Sequence, residues 1–151
     1  IVWSDEAPTS SVYTVGTADS VNGNTDAMIT YLWTSIQGFS KFGSYLGNGD
    51  DDGAFVYTGF RPAFLLVKKT GAVGSWWSFD NKRLGYNPAT YRLYADDTTA
   101  ENTTAVVDFV SNGFKFRNDD GDLNGDGVSY IYLAFAEQPF VNSEGVPCNA
   151  R

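Results

Sequence analysis

The sequence predicts an all-β fold, an antiparallel β-sandwich of the lectin or jelly-roll kind. Three observations predict it. Apolar residues recur at every second position in several short runs. Gly, Pro and Asn-Gly turn signals separate those runs at short spacing. No stretch carries a capped helical period over three turns. A composition rich in Gly, Ser, Thr, Asn, Asp, Tyr, Phe and Val agrees with this, because β-branched and aromatic residues fit pleated surfaces.

The elements follow in chain order. Residues 11–15 and 28–34 (MITYLWT) read as strands, as do 40–46 and 54–58. In 63–69, Phe64, Leu66 and Lys68 oppose Ala63, Leu65, Val67 and Lys69. Pro62 sets the start of that strand, and Arg61 should pair with a nearby carboxylate or carbonyl. Residues 75–80 read as another strand, and a short helical turn is expected near 99–103. In 105–110, Val107 and Phe109 oppose Val106, Asp108 and Val110; in 114–117, Phe114 and Phe116 oppose Lys115 and Arg117. The run 130–137 is apolar on both faces, so it should be central, with Tyr130 and Tyr132 beneath a second sheet. Gly47-Asn48-Gly49, Gly59, Gly71, Gly74, Asn112-Gly113 and Asn124-Gly125 punctuate the strands.

With 151 residues the chain is long enough for one domain with a real core. A formal charge of −8 argues against a nucleic-acid partner. No apolar run approaches the ~20 residues that cross a bilayer, so no membrane insertion is expected. The opening IVWSDEAPTSS shows no signal peptide, and the missing initial Met suggests a chain cut from a longer one. The lone Cys148 excludes a disulfide framework within the chain, and the absence of histidine excludes His-dependent zinc sites and Ser-His or Cys-His catalysis. Acidic pairs abound among 18 Asp and Glu, but nothing places two across a cleft, so the chain reads as no enzyme. Asn102-Thr103-Thr104 matches a glycosylation sequon that matters only in a secretory host.

Shifting the chain by about 102 residues lays VNGNTDAMITYLW (21–33) on LNGDGVSYIYLAF (123–135). Ile29 then meets Ile131, and Trp33 meets Phe135; with small gaps, Tyr13 and Val15 meet Phe114 and Phe116, and Gly38-Phe39 meets Pro139-Phe140. Residues 1–39 therefore read as the C-terminal half of a preceding repeat packed on the next copy. Residues 40–141 read as a complete repeat and 142–151 as a tail. A strand lent to a neighbouring subunit is the alternative to packing on the next copy.

In NDDGDLNGDGVSYIY (118–132), Asp120, Asp122, Asn124 and Asp126 begin like a calcium loop. The acids have no counterparts in the other copy, where Ala18, Ser20 and Asn24 stand. The twelfth loop position is Ile131 instead of Glu. Asn-Gly and the strand after it do repeat, which favours a turn. A calcium ion on Asp120, Asp122, Asn124 and Asp126 is the alternative, and no other cofactor is expected. Asp50-Asp51-Asp52 poses the same choice between a solvated loop tip and a cation site.

Trp76-Trp77 should send one ring into the core and one outward. The outward ring could stack on a sugar, with Asp80, Arg83, Tyr86, Tyr91 and Arg92 orienting a glycan and Lys82 close by. The alternative is a core Trp, a covering Trp and a solvated loop laced by weak salt bridges.

GFSKFGSYLGNGDDDGAFVYTGFRPAFLLVKK (38–69), DFVSNGFKFR (108–117) and YIYLAFAEQPF (130–140) resemble a β-domain module repeated in large tail or fibre-like virion proteins of marine tailed bacteriophages. APTSSVYTVGTADSVNGN (7–24) resembles the end of the preceding copy there, and the terminal Asn-Ala-Arg resembles the finish of such chains. The acids at 50–52 and 119–126 depart from that pattern. The resemblance implies a structural and adhesive virion module located in tails or fibres. It would help host-surface attachment through bacterial glycans, and no catalytic residues carry over. A purely architectural filament or capsid-decoration subunit is the alternative, and a polysaccharide depolymerase ranks last. Its partners would be other copies of itself, in a trimer or filament as for fibres in general, and other virion proteins.

Overall fold

A computed structural model describes residues 4, 6–83, 87–104, 107–139, 141, 142, 144 and 146. The chain divides into two units, residues 1–33 and 34–151. The fold is all-β with two antiparallel sheets and almost no helix.

Both sheets lie in the second unit. The strands are β1 (Ser40–Leu46), β2 (Phe55–Tyr57), β3 (Pro62–Lys69), β4 (Trp76–Asp80), β5 (Leu93–Tyr94), β6 (Val107–Val110), β7 (Gly113–Phe116) and β8 (Ser129–Ala136). One sheet has the order β1-β8-β3-β4-β5, the other β2-β7-β6. β8 is an interior strand, next to the edge strand β1, and both of its faces are apolar. It pairs with β1 on one side (Gly43 opposite Tyr132) and with β3 on the other (Val67 opposite Tyr132).

The core forms where the inner faces meet. Leu65, Val67, Trp77, Phe79, Tyr130, Tyr132 and Ala134 come from the larger sheet, and Val56, Val107, Phe109, Phe114 and Phe116 from the smaller. Ring contacts tie the two together: Phe114 lies 5.3 Å from Tyr132, and Tyr45 lies 5.5 Å from Phe116; within the larger sheet Tyr45 also lies 5.0 Å from Tyr130. Each such ring contributes roughly 1.5–3 kcal/mol by leaving water. Burial, with Tyr130 close by, pushes the Tyr45 phenol far above its ordinary pKa, so it stays protonated and donates to the Leu123 carbonyl at 2.6 Å.

Glycines mark close approaches, tight at Gly43 and prohibitive at Gly113. A Cβ on Gly43 would lie 3.1 Å from the Tyr132 ring, and one on Gly113 would lie 2.1 Å from the Val56 carbonyl oxygen. Gly113 is thus required by the pairing of β7 with β2. The turn of the β6–β7 hairpin is Ser111-Asn112, one residue earlier than the Asn-Gly signal suggests, since Val110 pairs with Gly113.

Several expectations need correction. The strands expected at 11–15 and 28–34 do not form. The first unit instead holds one short helix, α1 (Asp19–Asn22), and 28–34 is exposed and irregular. The two segments expected to repeat therefore differ in conformation: Ile29 is 80% exposed and Trp33 58%, whereas Phe135 lies half-buried in β8. No helix occurs at 99–103 among the described residues, where a bridge between Arg92 and Asn102 stands instead. The two-residue strand β5 was not foreseen, and its shortness explains why periodicity missed it. Ala105 and Val106, part of the expected strand 105–110, and Phe140 lie outside the described residues, as do Cys148 and most of the tail.

Candidate functional site

The cluster around Trp77 folds inward. Period-2 alternation in β4 buries Trp77 and Phe79 and leaves Trp76, Ser78 and Asp80 partly exposed. The one-in, one-out expectation therefore holds. Trp77 is not available to a ligand, because the Arg92 guanidinium covers its ring at 3.6 Å and Tyr94 packs at 4.3 Å. Arg92 is only 6% exposed. It donates to the Asp120 carboxylate at 2.9 Å and to the Thr104 hydroxyl at 3.3 Å, while its backbone bridges Asn102. Trp76 is half-buried, with the Lys68 ammonium 5.8 Å from its ring; Lys68 also donates to the Gly74 carbonyl.

Asp80 and Arg83 are likewise consumed by each other. Asp80 accepts from the backbone N–H groups of Lys82 and Arg83 at 2.9 and 3.0 Å and from Arg83 Nε at 2.5 Å. Burial alone would raise the Asp80 pKa. The two N–H groups and the guanidinium outweigh it and hold the carboxyl below its ordinary range. Arg83 also pairs with Glu101 at 2.6 Å. Tyr91 is half-buried, and Tyr86 lies outside the described residues. Of the residues expected to hold a glycan, Trp77, Asp80, Arg83 and Arg92 are brought together, but as a self-contained network.

The loop at 118–126 is a turn fastened from inside. Asn124 is fully buried. Its amide oxygen accepts from the N–H groups of Asn48 and Ala54, and its amide nitrogen donates to the Asn48 side chain and to the carbonyls of Asp50 and Asn118. Every hydrogen-bonding site of that side chain is used, so Asn124 joins two loops and has no lone pair left for a cation. Asp120 Oδ1 accepts from the Asp122 N–H, and Asp120 Oδ2 takes Arg92. Asp122 lies 3.7 Å from the Lys69 ammonium, and Asp126 is exposed. Among the described residues no group of three or more metal-ligating side chains converges. Asp50 Oδ1 accepts from the Asp52 N–H; Asp52 pairs with Lys115 at 3.0 Å and Arg117 at 3.3 Å.

At the opposite end of β1 a polar groove of about 270 Å³ opens between the edge strands of the two sheets. Buried Ser40 and Thr58 belong to its lining, Gly38 and Gly59 border it with positive φ, and Gln37, Lys41 and Tyr57 stand exposed on it. Sequence reasoning missed this groove. Phe55-Val56-Tyr57 is apolar at every position, so no periodicity marks Tyr57 as outward, and Lys41 lies in a strand with no other charge.

The fold and its surface define a small all-β domain of two antiparallel sheets with a polar groove at a sheet edge. The chain belongs to the family described as a domain of unknown function, DUF7483, whose model matches residues 1–139. No curated protein and no solved structure matches it.

Proposed function

We propose that the chain is a structural and adhesive module of a phage tail fibre or related virion protein, without enzymatic activity. The segments that resemble such modules, 38–69, 108–117 and 130–140, supply β1–β3, most of β6 and β7, and β8, the framework of both sheets. The observation that carries the reading is the outer face of the five-stranded sheet. There Phe42, Leu133 and Leu66 align across β1, β8 and β3, as do Phe135 and Phe64, with ring centroids 5.6 Å apart for Phe42–Phe135 and 6.3 Å for Phe64–Phe135. Leu46, Phe64 and Ile131 are exposed on that face and the others half-buried. A contiguous apolar face of this kind suits a protein packed against further modules or copies of itself.

In this reading the two sheets form a jelly-roll-like sandwich, and residues 1–39 are the C-terminal half of a preceding repeat. The module acts in the virion, with other copies and virion proteins as partners. Immunogold labelling of purified particles with antibody to residues 34–139 tests this. Label on tail appendages is the expected result, and unlabelled intact particles would remove the reading. Attachment to glycans is the second reading. The exposed Tyr57 beside a polar groove favours it, whereas the network at Trp77 and Arg92 does not.

A further inference from the structure

The geometry points to the groove between β1 and β2 as a binding site for one saccharide unit bearing a carboxylate. Its size suits a single sugar ring more than a drug-sized apolar ligand, which commonly needs about 300–1,000 Å³. Its lining offers hydroxyls, an amide, an ammonium and one aromatic ring. Tyr57 is 64% exposed, and the C–H face of a pyranose stacks on such a ring as other apolar surfaces do. Gly59 adopts a positive φ of 85° beside that ring, a backbone conformation that favours glycine.

Lys41 selects the charge. Arg61, Lys69, Lys82, Arg83, Arg92, Lys115 and Arg117 all sit in ion pairs. Lys68 is held by the Gly74 carbonyl and Trp76. Lys41 alone among the described cations has no partner among the described residues. A net charge of −8 would repel an anion, but the charge is unevenly placed. No Asp or Glu occurs in 34–46 or 55–69, and Glu137, at the same end, is tied to Arg61 and Lys82. The acids at 50–52 and 119–126 adjoin the Leu46 end, where Gly49 N–H donates to the Asn124 carbonyl. β1 spans seven residues, about 20 Å, well beyond the ~8 Å screening length of physiological salt. The acidic end therefore hardly reaches the groove.

This site deepens the attachment reading, and its test is separate from the particle labelling: the groove can bind in a protein that is not on the virion, and a virion module can lack the site. Amide chemical shifts of the chain are followed while adding tetragalacturonate or, in a parallel arm, the neutral galactose tetramer. Shifts centred on Gly38, Lys41, Tyr57 and Gly59 are expected, with the acidic oligomer binding about fivefold more tightly, the worth of one exposed charge pair. Lys41→Gln should bring the two oligomers level, and Tyr57→Ala should abolish both while the spectrum elsewhere stays unchanged. No shift at these amides at about 10 mM oligomer, shifts centred on 76–92 instead, or a preference unaltered in Lys41→Gln would overturn the assignment.

Discussion

Residues 28–33, MITYLW, and 130–135, YIYLAF, are both dominated by apolar residues and share Ile29 with Ile131, yet one is exposed and irregular and the other is an interior strand of a sheet. The second has β1 on one side, β3 on the other and Phe114 against its inner face. The first has a Tyr31–Trp33 stack at 6.1 Å and a Tyr13 hydroxyl donated to Thr30 at 2.7 Å, and no ladder partner among the described residues. An apolar alternating run is permission to be a strand. Neighbours supply the ladder and the burial that make it one.

Hydrogen exchange gives the widest separation. Amides of 130–135 should be protected close to the global stability, by about 10⁴-fold or more, and those of 28–33 hardly at all. Comparable protection in both would break the comparison. Next in size is a pair of truncations followed by urea unfolding. Phe114→Ala should cost about 3–5 kcal/mol by leaving a cavity between the sheets. Trp33→Ala should stay within about 0.5 kcal/mol in this chain. A large loss from Trp33→Ala would show that its segment has found a sheet.

The same dependence on neighbours governs a charge. Arg92→Ala should destabilise by about 3 kcal/mol, because Asp120 loses its partner and Trp77 its cover; Arg92→Met, which keeps the ring covered, should recover part of that in the same unfolding assay. The smallest effect is electrostatic. The Asp80 carboxyl is held below the ordinary 3.8, so its contribution is fully present above that value and is lost as pH falls through the depressed native value. Asp80→Asn should flatten that acid limb by no more than about 1 kcal/mol, measured as midpoint against pH.

Much of the second unit was legible. The two-sided apolar pattern of 130–137 marked β8 as paired on both sides, though β3 and not β8 is the middle strand; Phe114 and Phe116 declared their inward face, and Arg61 found the carboxylate expected of it in Glu137. The misses have physical causes. The first unit kept the pattern of a strand pair without the partners to realise it. Trp77 and Arg92, fifteen residues apart in sequence, looked like an open platform because sequence shows which groups are near along the chain and not that a guanidinium will lie on the ring. In the turn favoured at 118–126, Asn124 counted only as a turn residue or as one ligand of the alternative cation, yet it is the side chain that organises the loop, buried with all its hydrogen bonds made.

That amide carries a chemical consequence. Asn-Gly pairs age by attack of the glycine nitrogen on the asparagine side chain, which closes a succinimide and releases ammonia. At Asn124 the reaction is locked out, since the Gly125 nitrogen donates to the Tyr130 hydroxyl at 2.8 Å and the Asn124 amide is anchored at both ends. Asn22, exposed and held by one 3.3 Å bond to the Gly16 carbonyl, has no such guard. Of these two pairs Asn22 should therefore deamidate the sooner, and Asn124 only in those moments when its sheets have come apart.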